Sequence, residues 1–315
     1  MLEMINRRSF LKLGAAASAA TASTRWMKAE TAVPAMVVQA RAGAATTPVK
    51  TTKIYDNLYL LQGVGGNMAL QTGHEGNLII DSSYATAVPK ILEAIGSVSK
   101  DAPDALINTH WHIDHTDGNE GLHAAGFQIL AHQKTRERLS TDQTIQAFKT
   151  TFPAAPAGAL PEITFDTSMH AWHNGDSLDL VHFAPAHTDT DIYIHFHNAD
   201  VLHLGDIFFN GNYPFIDEST GGSIGGMILG AEAGLSVAGT GTKVIPGHGP
   251  LGSKADLQKY RDMLAGARER VAAIKKSGAS EQEAVAKKPL AETDSTWGKG
   301  FMNGDVFTGI VYRTL

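Results

Sequence analysis

Four short apolar runs in this chain each lead into a loop that carries histidine or aspartate, and this arrangement restricts the fold more than any other feature. Ala105-Leu106-Ile107-Asn108 ends at His110, Leu180-Val181-His182-Phe183 precedes His187, Val201-Leu202-His203-Leu204-Gly205 ends at Asp206, and Lys243-Val244-Ile245 precedes Pro246-Gly247-His248-Gly249. Short apolar runs bounded by turn residues read as buried strands. Loops gathered at one edge of a rigid scaffold are where sites are assembled, so the recurrence points to one composite centre.

The densest of these loops is His110-Trp111-His112-Ile113-Asp114-His115. Four ligand-type side chains within six residues imply a cation. On extended backbone His110 and His112 point to the same side and can share one ion, while the turn after them lets Asp114 and His115 swing toward a second. The chain has no cysteine, which excludes disulfides, thiolate catalysis, iron–sulfur clusters and zinc–thiolate sites. Any metal is therefore held by His, Asp or Glu. Nine of the 14 histidines have no motif position and read as structural; His195 and His197 alternate along one strand face and are expected on the sheet exterior.

Around these loops the pattern alternates. Leu58-Tyr59-Leu60-Leu61, Met68-Ala69-Leu70 and Leu78-Ile79-Ile80 read as short antiparallel strands; Val88, Ile91, Leu92, Ile95 and Val98 recur at helical spacing. Strands are expected at 127–130, 169–173, 178–183, 191–197 and 200–204, with an insertion near the site at 141–161. Leu257, Tyr260, Leu264, Val271 and Ile274 mark one long amphipathic helix. The glycine-rich Thr220–Gly226 run lacks a Walker lysine and reads as a helix start. Phe208, Asn210 and Tyr213, just beyond Asp206, are candidates for one wall of a substrate site.

The N-terminus has a different character. Asn6-Arg7-Arg8-Ser9-Phe10-Leu11-Lys12 followed by a Gly/Ala-rich stretch resembles a bacterial twin-arginine export signal, which implies a periplasmic or secreted protein. Its apolar run is too short to remain as a membrane span. Small-x-small sites such as Val38-Gln39-Ala40 and Ala40-Arg41-Ala42 place the expected boundary near residue 42, with a leader and linker at 1–42 and one folded domain at 43–315. Setting aside the six basic and two acidic groups of that leader deepens the formal charge from -6 to -10. Such an acidic body argues against nucleic-acid binding and leaves a small molecule as the expected partner.

The order His-x-His-x-Asp-His, His, Asp, Pro-Gly-His-Gly resembles the metallo-β-lactamase superfamily over roughly residues 52–250. The resemblance implies an α/β fold, a four-layer αββα sandwich of mixed sheets. It implies further that His110, His112 and His187 hold one zinc, that Asp114, His115 and His248 hold another, and that Asp206 bridges them as in glyoxalase II-like members. Asp81, closing Leu78-Ile79-Ile80-Asp81, matches the family's strand-end aspartate and is expected to orient a ligand. The cysteine ligand of many β-lactamases is absent, with Asp206 in the corresponding region, and His112 stands where the family's di-iron branch has Glu, which favours zinc.

The expected activity is hydrolysis of a carbonyl-type bond (ester, lactone, thioester or β-lactam) by a hydroxide shared between two zinc ions, with Asp114 as ligand and catalytic residue orienting the nucleophile. Two alternatives stay open: an iron-dependent persulfide or thiol dioxygenase on the same fold, and a non-catalytic periplasmic zinc-binding protein.

Overall fold

The computed structural model describes residues 33–183 and 185–315. The described chain begins with helix α1 (Ala35–Thr46) and then the antiparallel meander β1 (Lys50–Lys53), β2 (Leu58–Gln62), β3 (Met68–Gln71) and β4 (Asn77–Ile80). Helix α2 (Val88–Val98) crosses over to β5 (Pro103–Ile107), which pairs parallel to β4. After the ligand-bearing turn α3 (Ile113–Thr116) and the short α4 (Asn119–Ala124), β6 (Gln128–His132) adds parallel to β5.

Helix α5 (Gln133–Leu139) then leads into the 141–161 segment, which folds as a separate hairpin of β7 (Gln143–Ile145) and β8 (Thr150–Phe152). Strand β9 (Ile163–Phe165) completes a seven-stranded mixed sheet. A second, six-stranded sheet runs in the order β10 (Ser168–His173), β11 (Asp176–His182), β12 (Ile192–Phe196), β13 (Val201–His203), β14 (Lys243–Ile245) and β15 (Gly252–Ser253). Here β13 and β14 are parallel because helix α6 (Ile224–Val237) carries the chain back between them.

Strand alternation divides the apolar residues between layers. Leu58, Leu60, Ala69, Leu78, Ile80 and Ile107 of the first sheet meet Leu178, Leu180, Ile192, Ile194, Phe196 and Val201 of the second in one core. The opposite face of the first sheet, with Met68, Leu70, Ile79 and Leu106, packs on Ile91 and Ile95 of α2 and Leu122 of α4. The outer face of the second sheet, with Leu202 and Val244, packs on α6 and on α7 (Lys254–Lys276). The four expected αββα layers follow, and strands buried on both faces explain the apolar runs Met68–Leu70 of β3 and Leu78–Ile80 of β4.

Helix α7 is started by a capping box between Ser253 and Asp256 and buries Leu257, Tyr260, Leu264 and Val271, as its spacing predicts. Beyond it α8 (Glu281–Ala286), α9 (Ala291–Trp297) and α10 (Gly304–Arg313) return the chain to the body. Residues 35–42 fall within the expected leader, yet they form most of α1 and pack on the folded domain through Val37. Residues 1–32, with the paired arginines, lie outside the described residues.

Candidate metal centre

The sequence-predicted ligands lie at strand ends, in the turn α3 or in the β11–β12 loop, and their side chains converge. Strand β4 delivers Asp81, β5 delivers His110 and His112, β13 delivers Asp206, and β14 delivers His248. His187 comes from the β11–β12 loop, where the buried Asp191 carboxylate accepts the amides of His187 at 2.7 Å and Thr188 at 2.9 Å. Burial pushes the Asp191 pKa up to about 7.

The side chains converge in two groups, His110, His112, His187 and Asp206 in one, and Asp114, His115 and His248 in the other. In the first, His112 Nδ1 and His187 Nε2 are 2.8 Å apart, and Asp206 Oδ2 lies 3.3 Å from His187 Nε2 and 3.8 Å from His110 Nε2. In the second, Asp114 Oδ2 is 3.2 Å from His248 Nε2 and 3.7 Å from His115 Nε2, and the two imidazole nitrogens are 3.4 Å apart. Asp206 reaches this group as well, its Oδ1 lying 3.1 Å from His115 Nε2 and 3.4 Å from His248 Nε2.

These spacings suit a cation. Nitrogen and oxygen ligands about 2.0–2.2 Å from a tetrahedral ion are separated from one another by roughly 3.3–3.6 Å. The atoms that would face the ion are also unsatisfied: His110 Nε2 and Asp206 Oδ1 are buried without a hydrogen-bond partner. Leaving two such atoms orphaned is costly unless something binds them.

Surrounding groups fix which nitrogen of each ring is free. His115 donates Nδ1–H to Asp81 Oδ2 at 2.7 Å, and His187 donates Nδ1–H to the Phe215 carbonyl at 2.8 Å. The Thr109 hydroxyl donates to Asp81 Oδ2 at 2.8 Å and so accepts from His110 Nδ1 at 3.0 Å. His112 is reversed, with Nε2 3.2 Å from Asp217 Oδ2 and Nδ1 turned to the centre. In each ring the outward nitrogen is held as a donor, so the inward one is the nitrogen free to offer a lone pair to an ion, the arrangement that ligation requires. Asp81, in the left-handed region at φ 62°, also accepts the Thr109 amide at 2.8 Å, so one buried carboxylate braces two rings.

The electrostatics are opposed between the groups. Burial, with the neighbouring His115, holds His110 well below the ordinary histidine range, and burial lowers His187 to about 4. Burial opposes charge on His248 too, but Asp206 and Asp114 outweigh it and push the pKa up to about 10. Asp114 is lowered to about 2, because His115 and His248 outweigh its burial. Glycine makes these contacts possible at two places: a Cβ on Gly66 would lie 2.1 Å from the His115 ring, and one on Gly247 would lie 1.9 Å from Asp206 Oδ1.

The centre opens into a cavity of about 220 Å³ that Asp114, Asp206, His112 and His248 line at one end. Its walls are apolar: Trp111, Ile145, Phe148, Phe152, Phe215 and Phe301. The candidate wall residues Phe208, Asn210 and Tyr213 are not among them. Phe208 is fully buried against Tyr260 of α7, Tyr213 stacks on Phe307 of α10, and Asn210 donates to the Pro250 carbonyl. Their neighbours Phe209 and Phe215 line the cavity instead, Phe209 stacking on His248 and Phe215 on Phe148. Thr109, Asp191 and Asp217 also had no distinguishing sequence signal, since each acts by contacting a residue whose position only the fold sets.

Residues 61–266 match the model of the metallo-beta-lactamase superfamily, and residues 4–24 match the twin-arginine translocation signal sequence, so the chain carries a signal for twin-arginine export. No helix among the described residues is long and apolar enough to cross a membrane. A metallo-beta-lactamase from Pontibacter korlensis superposes with a TM-score of 0.56 at 18% identity, over 69% of this chain and 99% of that one. The metallo-beta-lactamase DIM-1 does so with 0.56 at 18%, over 70% and 98%. The stereoselective inverting sec-alkylsulfatase Pisa1 from Pseudomonas sp. superposes with 0.63 at 17%, over 84% of this chain but only 50% of that longer one. At these identities the likeness is one of fold. Because the matched family model covers most of the chain and spans all seven converging His and Asp residues, this protein belongs to the metallo-beta-lactamase superfamily.

Proposed function

We propose that the protein is an exported hydrolase that holds two zinc ions and cleaves a carbonyl-type bond, in an ester, lactone, thioester or β-lactam. The observation that carries this reading is Asp206, whose Oδ2 faces His110 and His187 while its Oδ1 faces His115 and His248. A carboxylate shared in this way serves two ions. His110, His112 and His187 with Asp206 would hold one, and Asp114, His115 and His248 with Asp206 the other. Imidazole-rich donors without thiolate suit zinc.

When bound, such ions lower the pKa of a water molecule from about 15.7 toward roughly 7 and stabilise developing negative charge on the substrate oxygen. The chain's own residues supply the placement. Asp114, ionised at neutral pH, lines the cavity and can accept a proton of the attacking water, directing its lone pair at the carbonyl carbon. The four residues of the first group are all buried, although His112 and Asp206 reach the cavity, whereas Asp114 and His248 are partly open. Substrate would enter through the cavity that both groups line, nearest the more open Asp114 and His248, and the apolar walls would exclude competing water.

The test is elemental analysis of protein purified without added metal, followed by a panel of esters, lactones, thioesters and β-lactams offered to the zinc-loaded protein. Two zincs and turnover of one class are expected. One iron with no zinc overturns the reading in favour of oxidation, and two zincs with no turnover overturn it in favour of a binding protein.

A further inference from the structure

We infer that α1 stays with the exported protein and forms one wall of the cavity, so that the site takes a neutral carbonyl compound whose extended apolar group lies against Met36 and Val37. The substrate half of this inference rests on the hydrolytic reading above; the wall itself does not.

Helix α1 is part of the fold on three sides. Val37 is 2% exposed within the same apolar cluster as Trp111, Ile145 and Phe152, and Ala44, 1% exposed, lies in the core beneath α2. The Arg41 guanidinium grips Asp117 with two bonds, Nε to Oδ2 at 2.8 Å and Nη2 to Oδ1 at 2.5 Å. Asp117 follows directly on α3, the turn that carries Asp114 and His115, and it also accepts the Ala85 amide at 2.8 Å. The Thr86 hydroxyl donates back to the Arg41 carbonyl at 2.5 Å. A helix of 12 residues is marginal alone in water, so its stability comes from this packing.

Cleavage after Ala40 or Ala42 would cut through α1 and take away Val37, and cleavage after Ala42 would also leave the largely buried Asp117 carboxylate without its guanidinium. The export signature ends earlier, at residue 24, and Ala20-Thr21-Ala22 provides a small-x-small site beside that end. Removal of the leader upstream of residue 33 leaves α1 whole.

The cavity that α1 closes has its polar groups at the metal end. Met36 and Val37 continue the apolar surface of Phe148, Phe152 and Phe301, and none of the lining residues is lysine or arginine. A carboxylate or sulfate on the distal part of a ligand would lose its water and find no cation, whereas an acyl or alkyl group is matched along its length.

The experiment has two arms. Full-length chain is exported and the mature product is weighed intact. A first residue between 23 and 33 is expected, and one at 41–43 overturns the retention of α1. Mature protein carrying Met36→Asp, a substitution at a position 41% exposed, is then compared with wild type for binding of the neutral apolar dye Nile red. Binding weaker by roughly tenfold, with an unchanged circular dichroism spectrum, is expected. Unchanged dye affinity overturns the wall, and Met36→Leu should restore binding if the variant's loss comes from charge placed in an apolar site. On nitrophenyl esters, KM for Met36→Asp should worsen progressively with acyl length. Dye binding that depends on Met36 without turnover of any ester removes the hydrolytic reading and leaves the wall standing.

Discussion

Asp217→Asn isolates the support of a single ligand. Asp217 is fully buried and sits 3.2 Å from the outward nitrogen of His112, while its other oxygen accepts the Ser219 amide at 3.0 Å and the Ser219 hydroxyl. The Thr220 hydroxyl donates to the same oxygen as His112, at 2.9 Å. All these partners donate, so an asparagine that offers its oxygen to one side turns an NH2 group against donors on the other. His112 then loses a charged acceptor and the fixed tautomer that points Nδ1 at His187. Replacing a group that orients a metal ligand lowers metal affinity by about 10–100-fold, or roughly 1.4–2.7 kcal/mol. The loss should fall on the ion held by His110, His112 and His187, because Asp217 touches no residue of the other group. Zinc is titrated against a chromophoric chelator, and the two sites separate as two affinity classes. One class weakened within that range, the other unmoved, is the expected outcome. Two unmoved classes, or equal weakening of both, would refute the assignment of His112 and Asp217 to one ion.

Three more perturbations follow from the same geometry. Gly66→Ala places a methyl group 2.1 Å from the His115 ring, so the variant should bind one zinc instead of two, and elemental analysis showing two sinks that account. Chelation should lower the melting temperature by several degrees, since a ligand at 1,000 times its Kd stabilises by about 4 kcal/mol; equal melting of the zinc-bound and stripped forms would contradict the role of the orphaned His110 and Asp206 atoms. His203 is buried, which lowers its pKa from 6.5 to about 4. The unfolded chain therefore takes up a proton that the fold refuses, so stability is full above about pH 6.5, falls as pH drops toward 4 and then levels, for a total near 3 kcal/mol. Denaturant unfolding should show His203→Asn losing that slope relative to wild type, and parallel slopes would exclude it.

Much of this was legible because it is local. The ligand run at 110–115 and the positions of His187, Asp206 and His248 at strand ends depend only on apolar runs and the turns that stop them, and the long α7 declares itself by spacing. The cavity was not legible for the opposite reason. The chain after Asp206 leaves a 3-10 turn at Gly205–Ile207, and which of Phe208 and Phe209 faces the centre is decided by the parallel bridge between Phe209 and His248. Asp217 meets His112 across 105 residues.

Helix α1 spans the expected boundary near residue 42. Its small residues satisfy a protease as readily as they satisfy a helix, so composition alone could not separate leader from fold. The Arg41–Asp117 pair ties α1 to the residue that follows the turn bearing Asp114 and His115. If α1 is retained in the exported protein it stands beside both the cavity wall and the turn that carries Asp114 and His115, so substitutions in α1 are expected to act on the apolar end of the site and on the residues that would orient the attacking water.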